Sequence, residues 1–462
     1  MNINKRVELL APAGSLKKAK YAFKYGADAI YIGIPMYSLR GKENKFTLDE
    51  VKEIIKYAHS INKKVYVTTN IYFHNFKIPN FINHLKKILE IKPDAFIVSD
   101  PGIIDLIKET CTKCEIHLSV QANATNYLSV KFWKKNGISR VILPRELTLK
   151  EIEEIKNKNK DMELEVFVHG SICIAYSGRC LLSNYFNYRD ANQGICNNAC
   201  RWKYKIYKSK EAMKESDEIP ILDKEIIKHL VENKESMKYK NYKEVEGRYF
   251  LEENLRKGEL IEIEENSNGT YLLNSKDLCA IEYLEDLIKI GIDSFKIEGR
   301  NKSEYYLSIV TKTYRKAIDF IYKGKKLDFK CLFEELNTIS NREYIPGFLG
   351  GNLRGFSENY KNSSTYKSHK FISLINNVEK VNNKWRLELD LKNKINKGDK
   401  IEIISPDVEE VRKIKINKIL ILDKDTTNNF LEVDKFSPGS NKKVYIEIPF
   451  EIDKFSILRK KI

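Results

Sequence analysis

Asp293-Ser-Phe-Lys-Ile-Glu-Gly-Arg300 decides the fold, because it is the eighth β-prone run in a chain where such runs alternate with amphipathic helical stretches. The seven upstream runs are Val7 to Leu10, Ala29 to Ile32, Val65 to Thr69, Ala95 to Val98, Ile116 to Val120, Val141 to Leu143 and Leu164 to Val168. Between them, Leu16 to Tyr25, Leu48 to Ile61, Phe81 to Ile91 and Lys150 to Lys156 read as helices with turn residues at the joints. Repeated strand–helix units build parallel sheets. An eighth strand followed by a helix from Ser303 to about Tyr322 lets the sheet close, so the expected class is α/β, a (β/α)8 TIM-like barrel.

One interval breaks the rhythm. From His169 to about Gly269 the chain is too long for an ordinary loop before a helix expected from Lys276 to Ile290. An insertion at 169–270 is therefore expected, and after a strand it belongs on the face where such barrels carry chemistry. The barrel domain should span 1–350, with 351–368 as a polar linker. Residues 369–462 alternate apolar and polar in Trp385 to Leu391, Asp399 to Ile404 and Lys443 to Ile448, predicting a small C-terminal all-β, barrel-like domain.

Lysine and arginine total 81 against 64 acidic residues, a formal charge of +17 that favours polyanions such as RNA. The same excess also follows from the lysine-, isoleucine- and asparagine-rich drift of an AT-rich genome. The N-terminus lacks the apolar core of a secretory signal, and eighteen consecutive apolar residues occur nowhere. A cytoplasmic location follows as the expectation, with neither membrane nor DNA as partner. Eight cysteines in such a compartment read as thiols, metal ligands or catalytic groups rather than disulfides.

Four of them crowd into His169-Gly-Ser-Ile-Cys173-Ile-Ala-Tyr-Ser-Gly-Arg-Cys180 and Asn192-Gln-Gly-Ile-Cys196-Asn-Asn-Ala-Cys200, spaced C-x6-C-x15-C-x3-C. Four thiolates among glycines can take the corners of a cubane iron–sulfur cluster. Structural zinc accepts the same donors but usually through a tight C-x2-C pair, and four unrelated buried cysteines are the blandest reading. Cys279 is an alternative fourth ligand to Cys200, or a small buried hydrophobe. Cys111 and Cys114 form a lone C-x2-C with a structural role expected, and Cys331 is assigned to the core.

Strand ends facing the mouth offer Asn70, Asp100, Gln121, Asn123, Arg145, His169, Glu298 and Arg300. His169 is a candidate proton donor or a support for the cluster, or merely a hydrogen-bonded histidine. Glu298 and Arg300 can handle protons and grip a carboxylated small molecule through a guanidinium fork, or form a structural ion pair. Arg179, Arg189, Arg201 and Trp202, interleaved with Tyr176, Tyr185, Phe186, Tyr188 and Tyr204, can stack bases and hold phosphates, though many must pack the insertion instead.

The segment HGSICIAYSGRC with NYRDANQGICNNACRWKY resembles the signature of the collagenase-like peptidase family. The likeness continues through ELLAPAGSLKKAKYAFKYGADAIYIG, LSVQANATN, NSKDLCAIEYLEDL, FKIEGRNKSEYY and NREYIPGF, so it covers nearly the whole chain. The resemblance implies an RNA hydroxylase, with its nearest branch acting in prephenate-dependent formation of 5-hydroxyuridine at the wobble position of tRNA anticodon loops, the first step towards 5-carboxymethoxyuridine. It also implies a [4Fe-4S] cluster on Cys173, Cys180 and Cys196 with Cys200 completing the set. Members lacking the C-x3-C pair use a later cysteine, which keeps Cys279 in play. The family name offers proteolysis as a rival activity, yet the chain has no G-x-S-x-G elbow or H-E-x-x-H site. A non-catalytic RNA-binding protein stabilised by zinc is the other rival.

Overall fold

A computed structural model of the chain describes residues 6–39, 46–201, 207–209, 242–244, 248–252, 260–266, 269–270, 275–351, 367–422, 430–439 and 442–462. Eight parallel strands lie where the apolar runs predict: β1 (Glu8–Pro12), β2 (Ala29–Gly33), β3 (Lys64–Thr69), β4 (Ala95–Val98), β5 (Ile116–Leu118), β6 (Arg140–Ile142), β7 (Glu163–Ser171) and β8 (Ser294–Ile297). β8 bonds to β7 on one side and β1 on the other, which closes the barrel. Helices α1 (Leu16–Lys24), α2 (Leu48–Ser60), α3 (Ile78–Ile91), α4 (Pro101–Thr110), α5 (Tyr127–Lys135), α6 (Leu149–Lys158), α7 (Leu284–Ile290) and α8 (Glu304–Tyr322) alternate with the strands.

The helices begin where side chains can satisfy their free N–H groups. Thr47 with Glu50 and Thr148 with Glu151 form reciprocal capping boxes on α2 and α6. Asp100 caps α4, accepting from the N–H groups of Gly102 and Ile103 at 2.9 and 3.2 Å. This candidate mouth residue is thereby committed to a helix end.

Strand alternation sorts the side chains. Leu9, Ile30, Val65, Val67, Phe96, Val141, Val166 and Phe295 face outward into the main core with the helices. Leu10, Tyr31, Tyr66, Ile97, Ile142 and Phe167 belong to a second, smaller cluster. Charges join them. The Arg140 guanidinium donates to Glu8 at 2.6 Å, Glu163 at 2.8 Å and Glu165 at 3.2 Å, and Lys296 donates to the other oxygen of Glu165 at 2.7 Å. Glu165 is fully buried. Burial alone would raise its proton affinity, but the Lys296 and Arg140 cations outweigh it and hold the carboxyl below its ordinary range.

The end of β7 departs from the simple pattern. Strand Asp277–Cys279 runs antiparallel to it, pairing Leu278 with Gly170 and Cys279 with His169. The helix expected from Lys276 therefore starts only at Leu284, after a turn at Ile281–Tyr283. An apolar Leu-Cys-Ala-Ile run suits either state, and pairing with β7 decides for strand. Gly170 takes φ +114°, where an added Cβ would lie 2.7 Å from the Glu298 carbonyl oxygen.

By compactness the chain forms two units: residues 1–197, 275–357 and 365–462, and residues 198–274 with 358–364. The expected insertion at 169–270 is thus divided, its first part belonging with the barrel. In the second unit the described strands form a ladder of Tyr207–Ser209 with Tyr242–Glu244 and a sheet of Arg248–Glu252, Leu260–Asn266 and Gly269–Thr270. Most of the expected linker, 352–366, lies outside the described residues.

The C-terminal domain is an antiparallel sheet of eight strands around Ile372, Leu387, Ile401, Ile446 and Leu458. Its Leu374, Ile404 and Ile457 belong to the barrel's core. The Tyr25 hydroxyl lies 2.9 Å from the carbonyl oxygens of both Ile404 and Phe455, and Arg459 donates to Glu335 and Thr338 at 2.8 Å. Among the described residues, no helix is long and apolar enough to cross a membrane.

Candidate functional site

After β7 the chain turns back across the C-terminal ends of the strands, the mouth of the barrel. It does so through a turn at Tyr176–Gly178, a short helix Leu182–Asn187 and a turn at Ala191–Gln193. Polar contacts pin this loop to the mouth. The Ser177 N–H donates to Glu146 at 2.6 Å and its hydroxyl to Asn123 at 2.8 Å. Arg179 donates twice to the Gln121 carbonyl, at 3.0 and 2.8 Å, and the Tyr72 N–H donates to the Asn192 carbonyl at 3.1 Å. Loops after β3, β5 and β6 thus anchor the cysteine segment. Gln121 and Asn123, candidates at the mouth, act as anchors; Tyr72 and Glu146 were not singled out from sequence.

Cys173, Cys180 and Cys196 sit on this pinned segment. The Cys173 thiol reaches solvent, yet the atoms gathered around it raise its proton affinity by desolvation. The neighbouring Cys180 and Cys196 thiols push it up further, while the Ala175 N–H and the Arg145 guanidinium pull it back. The Leu182 N–H donates to the Cys180 sulfur at 3.4 Å, and Ser183 Oγ lies 3.5 Å from the Cys196 sulfur. Three cysteine sulfurs on one loop, two of them beside N–H or O–H groups, are donors of the type that iron takes. Among the described residues, no three His, Cys, Asp or Glu side chains group as around one metal ion, where thiolates stand about 3.8 Å apart. Cys200 belongs to the other compact unit, in the turn Ala199–Arg201, half-buried.

Cys279 is enclosed differently. Its sulfur lies 3.6 Å from the Tyr314 hydroxyl of α8, in the main core, and burial pushes its thiol up to about 12. Cys331, expected in the core, is exposed on the helix Phe329–Leu336, because its side of that helix lies opposite buried Leu332 and Leu336. Cys111 and Cys114, expected as thiols, are joined in a disulfide at the end of α4, where a turn returns Cys114 to the Cys111 carbonyl.

His169 does not open to solvent. Its ring is fully buried among Tyr306, Tyr314 and Tyr344, with Nδ1 3.3 Å from the Tyr314 hydroxyl. Desolvation, and then the Lys302 cation, drive its affinity down to about 3, so the ring is neutral and unsuited to proton donation. Arg300, expected to grip a carboxylate, spends its guanidinium on Thr68 Oγ1 at 2.9 Å and the Leu39 carbonyl at 2.5 Å. The half-buried Glu298 follows β8, and its carbonyl accepts from the Tyr306 hydroxyl at 2.9 Å. Asn70 bridges the Leu39 N–H and Ser119.

Of the residues expected to touch RNA, Arg179 is the anchor to Gln121, Arg189 is exposed and Arg201 half-buried. Trp202 and Tyr204 lie outside the described residues, as do the side chains of Tyr185 and Phe186.

A closed parallel barrel with a cysteine-bearing loop pinned across the C-terminal ends of its strands defines a TIM-like barrel enzyme. The chain belongs to peptidase family U32: the family profile matches residues 14–358, and that of the family's C-terminal domain matches residues 367–459. It is 41% identical over 454 residues to the tRNA hydroxylation protein P of Escherichia coli, spanning 96% of this chain and 94% of that one. The protein of the same name from Haemophilus influenzae is 42% identical over 448 residues, with the same coverage. An Escherichia coli 23S rRNA 5-hydroxycytidine synthase is 28% identical over 86% of this chain and 52% of its own length.

Proposed function

We propose that the chain hydroxylates tRNA, converting the wobble uridine of an anticodon loop to 5-hydroxyuridine with prephenate as cosubstrate. The reading rests on one observation: the three-thiol loop is pinned over the barrel mouth in a chain similar, end to end, to two tRNA hydroxylation proteins. Cys173, Cys180 and Cys196 would hold a [4Fe-4S] cluster, the fourth ligand being expected from sequence at Cys200. When bound, such a cluster supplies redox chemistry at the mouth.

The chain's own residues set the stage. Glu8, Arg140, Glu165 and Lys296 fill part of the barrel interior, and the loops carrying Tyr72, Gln121, Asn123 and Glu146 orient the thiols. A net positive chain draws in the phosphates of an anticodon loop, whose unpaired base can be splayed towards the mouth.

Mass spectrometry of tRNA nucleosides from cells lacking the gene should find no hydroxylated wobble uridine derivatives. Wild type should restore them and Cys180→Ser should not. Their persistence in the deletion strain refutes the reading. Anaerobically purified protein should carry iron and sulfide in equal amounts, whereas colourless zinc protein would favour a scaffold. Peptide cleavage by that protein, with tRNA unaltered, would restore the peptidase alternative.

A further inference from the structure

We propose that Arg145 is the residue that binds a carboxylate of the cosubstrate, with the Phe167 ring as the platform beneath it. The assignment rests on the reading above in requiring a carboxylated cosubstrate. It starts from the way Arg145 is held. Its guanidinium carbon lies 3.6 Å from the centroid of Phe167, an inward-facing ring of β7. Stacked in this way, the fork has its flat face covered and its N–H edges turned sideways.

One of those edges is unspent. Nε is buried without a hydrogen-bond partner among the described residues. Arginine has five donors and stays charged, so leaving them unmet in a shielded place is costly. Neighbouring cations are already committed: Lys296 to Glu165, Arg300 to Thr68 and Leu39, Arg179 to the Gln121 carbonyl. Arg145 alone of these four keeps a buried donor without an acceptor among the described residues.

Its surroundings indicate the kind of acceptor. Lys296 Nζ lies 5.4 Å from the same Phe167 ring and 4.4 Å from Tyr31, and the Arg300 guanidinium lies 5.7 Å from Tyr31. Three cations therefore gather over two adjoining rings, below a loop bearing Cys173, with the Glu298 and Glu146 carboxylates also within electrostatic reach of Arg145. An organic anion with an apolar body suits that combination: its carboxylate pairs with the fork and its carbon skeleton meets the rings. The position, between the rings and the thiol loop, places the bound molecule beside the proposed cluster ligands.

The test is calorimetric titration of prephenate, and separately of malonate, into the anaerobically purified holoprotein. Arg145→Gln should weaken prephenate about thirty-fold, the loss expected for one charge-assisted pair. Arg145→Lys should lose less, and Phe167→Leu should weaken prephenate more than malonate. Iron content and visible spectrum should match wild type in all three. Equal affinity in wild type and Arg145→Gln, or no binding of either anion by wild type, overturns the assignment. Lost iron or a shifted spectrum with unchanged affinity would instead assign Arg145 to the thiolates. Malonate binding through Arg145 without prephenate binding would retain the anion site and remove prephenate from the proposed function.

Discussion

His169 illustrates how burial overrides residue type. An imidazole titrates near 6.5 in water, but at this site it holds its proton only below about 3, so the folded protein excludes a proton that the unfolded chain accepts. A depressed folded value means stability is complete above pH 6.5 and falls as pH drops towards 3. Between pH 7.5 and 5 the unfolding free energy should fall by about 2 kcal/mol from this group, and His169→Gln should flatten that part of the dependence. Urea denaturation at the two pH values measures both; an unchanged slope in the variant would contradict it. The two isolated thiols make a second test. On the native protein, iodoacetamide should label exposed Cys331 within minutes and leave Cys279 intact, as peptide mass spectrometry would reveal. That Cys173, Cys180 and Cys196 share one loop was legible because their spacing is local. The roles of Tyr72 and Glu146 were not, since each meets the cysteine loop across long chain separations that single-residue reading does not register.

At the scale of elements, β-prone runs placed all eight barrel strands, because alternation and turn punctuation are local signals. They misjudged the return after the insertion, where a run equally suited to helix or strand was settled by pairing with β7. The seam between β7 and β8 is where the barrel should be most sensitive. Gly170→Ala forces a side chain into left-handed backbone 2.7 Å from the Glu298 carbonyl, and a loss of about 3 kcal/mol in denaturation is expected. Arg140→Met strands Glu8, Glu163 and Glu165 beside one another and should cost about 3 to 5 kcal/mol. Because those carboxylates then repel, the Arg140→Met deficit should narrow on mild acidification. A deficit independent of pH would mean the guanidinium acts mainly by packing.

For the molecule as a whole, the C-terminal sheet was recognisable as a second domain but its attachment was not. Leu374, Ile404 and Ile457 complete the barrel's core, and Arg459 reaches Glu335 across the junction. A chain ending at residue 366 should therefore expose apolar barrel surface and associate at micromolar concentration, detectable by light scattering. A monodisperse, equally stable truncation would show that the docking is dispensable.

The salt link between Glu165 and Lys296 joins partners 131 positions apart, on the seventh and eighth strands. During synthesis Arg140 is already made when Glu165 leaves the ribosome, but Lys296, the partner of its other oxygen, is not, so a nascent chain lacking β8 leaves half of a carboxylate that the fold buries unpaired. Vectorial folding of this barrel must wait for its last strand, and stalled chains that stop short of residue 296 should stay open to protease.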